Sequence, residues 1–355
     1  MSDLHAAPEG VSVRAAIAAD YAATWAQALL GDQAPTHPAL PPRLAYVDLY
    51  RGPHRGAPAA RRVVASVAAR AAAGELLRAN LLLMLNDPGP EDPDARRALA
   101  NELRPVRALG HPAQVIRRHP WLRIAARLEA YRPVGILTHL EPWGYHGLGG
   151  EDLARCLALP QAEVLLALRY PLLNMGLPNP RVAPYLEAFW GAERAAALRE
   201  AVQGSSPQGR EEQIVAACTE RLRELGAAHV LAFRLTVDHR PGELLFHAAR
   251  DADAHGRMKE VLAAHSTGHP QGVPDYRYDP VAAHYADSLP VARPLDDLAD
   301  ELARAYAGHT VIAEELYRRR HVGTPYIRRN YADALDLLVT RGRALRLGER
   351  VRVMG

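Results

Sequence analysis

A chain of 355 residues, 48% of them apolar, is long enough to bury one large core or two smaller ones. Its two cysteines, Cys156 and Cys218, exclude a disulfide framework and a cysteine-based zinc site, and they predict a reducing compartment such as the cytoplasm. The net charge of +3 predicts a nucleic-acid partner only if a local basic patch exists. No secretory leader pattern opens the chain and no apolar run approaches about 18 residues, so we expect neither secretion nor a membrane span.

The first half of the chain alternates helical periodicity with short apolar runs. An opening helix (12–30) that buries Tyr21 and Trp25 precedes a proline-rich connector. Strands that alternate with helices predict a parallel sheet with helices on both faces. We predict strands at 43–50, 79–87, 113–116, 134–140 and 162–170, and helices at 58–74, 92–103, 121–130 and 149–158.

Two further strands, at 228–237 and 242–251, follow a helical insert at 180–226. They are expected to close the sheet as an antiparallel pair. A parallel run that ends in such a pair is the plan of a Rossmann-like methyltransferase-type sheet, so the predicted fold class is α/β.

The chain changes character after residue 265. Residues 266–294 have the Gly, Pro and Asp density of a linker. Helices are then predicted at 296–307, 310–320 and 324–341, with Thr324 and Pro325 starting the third one, followed by a two-strand hairpin. This order is typical of a winged helix-turn-helix. The expected domains are an N-terminal helical segment (1–36), a Rossmann-like domain (37–265), the linker and a winged-helix domain (295–355).

Candidate site residues follow the predicted strands, because open parallel sheets bind ligands at the carboxyl ends of their strands. Asp48 ends the first strand, and Gly52 lets the backbone approach a ligand closely. Asp87 ends the second strand, where a carboxylate can accept hydrogen bonds from both ribose hydroxyls of a nucleoside-containing cofactor. Each has a structural alternative, since Asp48 and Asp87 could instead cap a helix or close a turn.

The fourth strand ends in the segment EPWGY. In amino-group methyltransferases an acid and a proline at this point present acceptors to the nucleophilic nitrogen, and an aromatic ring stacks on the substrate. Glu141, Trp143 and Tyr145 would take these roles here. The alternative is that the two aromatic residues plug the core. No metal site is expected, because Gly268 interrupts the His265–His269 spacing that a helix would need.

Five ordered segments resemble the three-Cys-motif partner family (TcmP). YVDLYRGP resembles the family's YVDLFAGPG, and LEPWGYHGL resembles its DPWGYKGL. The other three are LLNMGLPN (172–179), GVPDYRY (272–278) and GTPYIRRNYADAL (323–335). The resemblance covers most of the chain and implies a first half similar to S-adenosylmethionine-dependent methyltransferases, working with a three-Cys-motif partner protein.

The resemblance implies S-adenosylmethionine as cofactor and two sets of site residues. The cofactor set is Asp48, Tyr50, Arg51, Gly52, His54 and Asp87, and the catalytic set is Glu141, Trp143 and Tyr145. Among these positions, Arg51 stands where the family motifs have an alanine, His54 where they have a glycine and Glu141 where they have an aspartate.

Two functions remain open from the sequence. One is a methyltransferase-like enzyme of unknown acceptor. The other is a repurposed Rossmann domain whose winged helix binds a partner protein or nucleic acid, in the latter case through Arg318, Arg319, Arg328 and Arg329.

Overall fold

The computed structural model describes residues 8–31, 40–51, 57–86, 101, 104–116, 120–142, 149–237, 240–281 and 293–355. The chain forms two compact units, Met1–Arg257 and Met258–Gly355. Within the described ranges, no helix is both long and apolar enough to cross a membrane.

The first unit is built from helices and strands in alternation. Its helices are α1 (Pro8–Leu30), α2 (Ala57–Ala73), α3 (Glu75–Asn80), α4 (Pro120–Tyr131), α5 (Gly150–Ala158), α6 (Tyr170–Gly176), α7 (Ala183–Trp190), α8 (Ala192–Ala201) and α9 (Pro207–Glu224). Its strands are β1 (Leu44–Arg51), β2 (Leu81–Asn86), β3 (Gln114–Ile116), β4 (Gly135–Pro142), β5 (Ala162–Arg169), β6 (His229–Val237) and β7 (Arg240–Ala249).

These strands form one sheet in the order β3-β2-β1-β4-β5-β7-β6. Strands β1 to β5 pair in parallel, and β7 runs antiparallel to both β5 and β6. The expected Rossmann-like sheet, dominated by parallel strands and closed by an antiparallel pair, is confirmed. The strand order reverses between β1 and β4, which are hydrogen-bonded neighbours, so this is the point where such sheets bind ligands.

The two faces of the sheet differ in chemistry. One is apolar, with Val47, Leu166 and Phe246 in a core shared with α4, α5 and α9. Helix α1 packs against the opposite face and buries Tyr21 and Trp25 completely, as predicted. It approaches β4 so closely that a Cβ added to Gly135 would lie 2.3 Å from Leu29. This second face carries most of the buried charged residues of the unit.

The second unit contains the winged helix-turn-helix. After α10 (Ala252–His265), in which the unit begins, come β8 (Arg277–Tyr278), α11 (Pro294–Ala305), β9 (Thr310–Val311), α12 (Ala313–Arg320), α13 (Arg328–Thr340), β10 (Ala344–Leu347) and β11 (Arg350–Val353). Strand β11 pairs antiparallel with both β10 and β9. The predicted order of three helices and a hairpin wing is confirmed, with β9 as an added short strand.

The third helix of the winged helix-turn-helix, α13, begins later than predicted. It starts at Arg328, and the side-chain oxygen of Asn330 accepts the backbone N–H of Ile327 at 3.0 Å. Thr324 does not cap a helix, because its hydroxyl donates to the His321 carbonyl at 3.1 Å. In a helix that began at Thr324, the backbone N–H of Arg328 would donate to the Thr324 carbonyl. It donates instead to the side chain of Glu260.

Part of the predicted linker is packed structure. Val273 belongs to the winged-helix core, and Tyr276 donates its hydroxyl proton to the Pro325 carbonyl at 2.9 Å. Asn330 donates to the Gly272 carbonyl, also at 2.9 Å. The Gly and Pro density of this segment therefore reflects tight turns, and residues 282–292 lie outside the described residues.

Candidate functional site

Asp48 and His139 form a buried pair at the switch point of the sheet. They face each other in register on β1 and β4, and the Nδ1 proton of His139 is donated to Oδ1 of Asp48 at 2.9 Å. Burial raises the pKa of Asp48, and the hydrogen bond from His139 offsets only part of that rise. In the described part of the chain, Nε2 of His139 has no hydrogen-bond partner.

Glu141 lies two residues further along β4 and is only 1% exposed. Arg14 of α1 donates to its Oε2 at 2.9 Å, and Arg169 at the end of β5 donates to its Oε1 at 3.3 Å. Burial alone would raise the pKa of Glu141, but Arg14, His139 and Arg169 together outweigh it, so the pKa lies below its usual value. Glu141 is therefore an ionised carboxylate with a low affinity for protons near neutral pH.

Arg14 also pairs with a second buried acid. Its Nη1 lies 3.1 Å from Oε2 of Glu243 on β7, the residue that faces Arg169 in register. Burial raises the pKa of Glu243, which Arg14 only partly offsets. A single guanidinium thus ties α1 to β4 and β7. We call this group the buried charge cluster: Arg14, Tyr46, Asp48, His139, Glu141, Arg169 and Glu243.

The buried charge cluster lies under the ligand edge of the sheet, the edge formed by the carboxyl ends of the parallel strands. Its members are at most 4% exposed, so they cannot meet a ligand without a change of structure. Breaking a buried ion pair is costly, which means the cluster holds α1 and the ends of four strands in fixed relation. Five of its members were not predicted as site residues from the sequence: Arg14, Tyr46, His139, Arg169 and Glu243. The available signal was a charged or polar residue inside an apolar run, as in the segment THLEP.

Only some of the predicted site residues lie in the part of the chain that the structure describes. Glu141 is the second-last residue of β4, whereas Asp48 lies three residues before the end of β1, and the register of the two strands places both on the same face of the sheet. Tyr50 and Arg51 form the end of β1, but their side chains are not described. The remaining predicted residues lie outside the described residues: Gly52, His54, Asp87, Trp143 and Tyr145.

The winged helix presents arginines around its turn. Arg318 and Arg319 are exposed at the end of α12, and no ion pair with either is found among the described residues. Arg328 and Arg329 begin α13 and are also exposed. Arg328 pairs with Glu314 at 3.3 Å, and Arg329 pairs with Asp333 one turn later at 3.2 Å.

The wing adds two more exposed arginines. Arg350 and Arg352 on β11 face Leu347 and Leu345 on β10, and all four side chains point outward. No ion pair of these two arginines is found in the described segment 293–355. The wing therefore offers two free cations beside an apolar strip.

Comparison with known proteins agrees with this architecture. Residues 286–345 match the sequence model of a GMT-like wHTH domain. No curated protein matches the chain. No solved structure matches it either. Among the described residues, no group of three or more His, Cys, Asp or Glu side chains is placed to hold a metal ion.

Proposed function

We propose that the protein binds nucleic acid through its winged helix-turn-helix. The observation that carries the proposal is the set of exposed arginines on α12, α13 and the wing. In this fold the helix after the turn enters the major groove, and its first residues reach the base edges. Arg328 and Arg329 occupy those first positions of α13.

The distribution of charge supports the same proposal. Residues 293–355 contain twelve arginines and nine acids, a formal charge of +3, whereas the rest of the chain has 31 basic and 31 acidic residues. The whole net positive charge of the protein therefore lies in the winged-helix segment. A local excess of this kind is the electrostatic footprint of a nucleic-acid-binding surface.

The ion pairs of Arg328 and Arg329 do not oppose this function. Both arginines are exposed, and exposed ion pairs contribute only about 0–1 kcal/mol. A charge-assisted hydrogen bond to phosphate is worth more, so each guanidinium can exchange its carboxylate for phosphate on binding. The exchange leaves Asp333 near the phosphates, which limits affinity.

The experiment that tests the proposal is a fluorescence anisotropy titration of the full chain. The probes are a duplex DNA of about two helical turns and an RNA hairpin, each at low and moderate salt. We expect binding that weakens steeply with salt, because each neutralised phosphate releases a counterion. A dissociation constant above about 100 μM at low salt would contradict the proposal. Ordinary non-specific binders have dissociation constants of about 100 μM or less even at physiological salt.

A second candidate function is methyl transfer from S-adenosylmethionine. The reversal of strand order between β1 and β4 favours it, because a nucleoside-containing cofactor binds at such a point. The described residues fit this cofactor only in part. The carboxylate of Glu141 already accepts hydrogen bonds from two arginines, and that of Asp48 accepts one from His139. Both are buried, so neither can accept a hydrogen bond from a ribose or an acceptor amine without a change of structure.

We therefore assign the cofactor contacts to the segments that follow β1 and β2. Gly52 and His54 would meet the methionine part, and Asp87 the ribose hydroxyls. Trp143 and Tyr145 would position the acceptor. When bound, the cofactor supplies an electrophilic methyl group. The resemblance to the three-Cys-motif partner family supports this candidate and the partner protein that its name implies.

Isothermal calorimetry with S-adenosylmethionine and S-adenosylhomocysteine tests the second candidate. Asp87→Ala should weaken binding about tenfold or more, because it removes charge-assisted hydrogen bonds to the ribose. Absence of heat with both ligands at millimolar concentration would contradict it.

A further inference from the structure

A cavity of about 320 Å³ opens at the carboxyl end of β5. It is lined mainly by Tyr170, Asn174 and Met175 of α6, Pro207 and Arg210 of α9, and Pro241 of β7. Tyr170 directly follows Arg169 in the sequence, and Pro241 lies two positions before Glu243. These two cluster members face each other in register, so the cavity lies at the ligand edge of the sheet.

Arg210 is the cationic residue of this lining. Its guanidinium makes two long contacts, from Nη1 to Oδ1 of Asn174 at 3.4 Å and from Nη2 to the Ser205 carbonyl at 3.5 Å. Its Nε is buried, and within the described residues it has no hydrogen-bond acceptor. The neighbouring acid, Glu211, is paired with Arg234 at 3.1 Å. Because the contacts of its two Nη groups are long, these groups keep donor capacity for an anion.

The rest of the lining suits an apolar body. Pro207, Pro241 and Met175 present carbon and sulfur atoms, and Met175 is 63% exposed at the opening. A thioether contacts aromatic rings favourably, and prolines offer flat apolar walls. Burial raises the pKa of Tyr170, so its phenol stays neutral and can donate a hydrogen bond.

We propose that this cavity binds a small organic anion, consisting of an apolar or aromatic body with one phosphate or carboxylate that Arg210 holds. A planar guanidinium binds both groups in bidentate fashion, which accounts for its placement among apolar walls. The cavity volume is at the lower end of the range for small-molecule sites and suits a ligand of nucleotide size or less. The proposal does not depend on nucleic-acid binding by the winged helix.

Calorimetry on the full chain tests the proposal with two probes, adenosine 5′-monophosphate and indole-3-acetate. Inorganic phosphate serves as the bare anion. We expect at least one organic probe to bind more tightly than phosphate, because the apolar walls contact its organic body. Arg210→Gln should weaken its binding about tenfold or more, because charge-assisted hydrogen bonds are lost. Arg181→Gln is the matched control, since Arg181 is exposed and lies outside the lining.

A second variant guards against misfolding of the first. Met175→Glu places a carboxylate at the opening of the cavity, where the side chain is exposed, so the thermal stability should stay unchanged while anion binding is lost. Binding of neither organic probe at millimolar concentration would overturn the proposal. So would equal affinities in the unmodified protein, Arg210→Gln and Met175→Glu.

Discussion

The ammonium group of Lys259 donates a 2.6 Å hydrogen bond to the backbone carbonyl of Tyr326, in the turn that leads into α13. It also donates at 2.8 Å to the carbonyls of His321 and Thr324. Lys259 is fully buried and is the only lysine of the chain. An ammonium has three donors in a compact tetrahedral array, which a planar guanidinium cannot reproduce. This geometry explains why a lysine persists here in an arginine-rich sequence.

Lys259→Met is expected to loosen the turn before α13. The carbonyls of Thr324 and Tyr326 lose this donor, whereas that of His321 keeps the Thr324 hydroxyl. Each buried carbonyl left without a donor costs about 1–3 kcal/mol, so residues 321–327 should exchange their amide hydrogens faster. Lys259→Arg should have the same direction of effect, because the guanidinium does not fit the three carbonyls. Hydrogen–deuterium exchange by mass spectrometry measures this, with exposed Arg304→Met as control. Unchanged exchange in both Lys259 variants would show that the three bonds do not hold the turn.

Arg14→Met is expected to destabilise the first unit strongly. It leaves Glu141 and Glu243 buried with one cation fewer, and breaking a buried pair in this way costs about 3–5 kcal/mol. Arg70→Met is the matched control, because Arg70 pairs with Asp20 on the surface, where a pair contributes about 0–1 kcal/mol. Urea unfolding followed by tryptophan fluorescence gives both values. Similar losses in the two variants would argue against a cluster that holds α1 in place.

The same cluster predicts a dependence of stability on acid. The pKa of Glu141 is lower in the folded chain than in the unfolded chain, so the unfolded state binds its proton first as the pH falls. The stability that Glu141 contributes is therefore present above about pH 4.5 and is lost as the pH falls through its folded pKa. Glu141→Gln should be less stable than the unmodified protein at pH 7, and the difference should shrink below pH 4.5. A difference that stays constant from pH 7 to 3 would contradict this.

Trp143→Ala tests whether Trp143 meets a ligand or fills the core. If it meets a ligand, the variant should lose binding of S-adenosylmethionine or its acceptor with little loss of stability. Trp190 is 2% exposed and is the matched core residue, for which truncation to Ala should cost about 3–5 kcal/mol. Thermal unfolding of both variants decides the matter. An equal fall in melting temperature would place Trp143 in the core.

The sheet was largely predictable from the sequence because its signal is local. Buried runs such as Leu81–Leu85 and Val164–Leu168 are apolar throughout, as strands covered on both faces must be. The winged helix was predictable for the same reason, through the spacing of its helices. The start of α13 was not, because Lys259 and Glu260, more than 60 residues away in sequence, bind the backbone groups there.

The buried charge cluster could not be predicted because its partners are distant in sequence. Arg14 and Glu141 are 127 positions apart. From the sequence alone, a charged residue next to an apolar run is expected to be exposed. The sequence therefore predicts a substrate contact for Glu141, and only the structure shows that its carboxylate accepts hydrogen bonds from two arginines. The cofactor and acceptor contacts predicted for the segments after β1, β2 and β4 lie outside the described residues and stay predictions.

The most direct test of nucleic-acid binding is the salt dependence of affinity in two matched arginine variants. Arg329 and Arg155 are both exposed, and each pairs with an acid one helical turn away, but only Arg329 lies on the proposed surface. Anisotropy titrations of the full chain with duplex DNA are run across about 50–200 mM salt. We predict that Arg329→Gln weakens binding and reduces the slope of log K against log salt by about 1, while Arg155→Gln changes neither. Equal effects of the two variants, or no binding even at the lowest salt, would contradict the account.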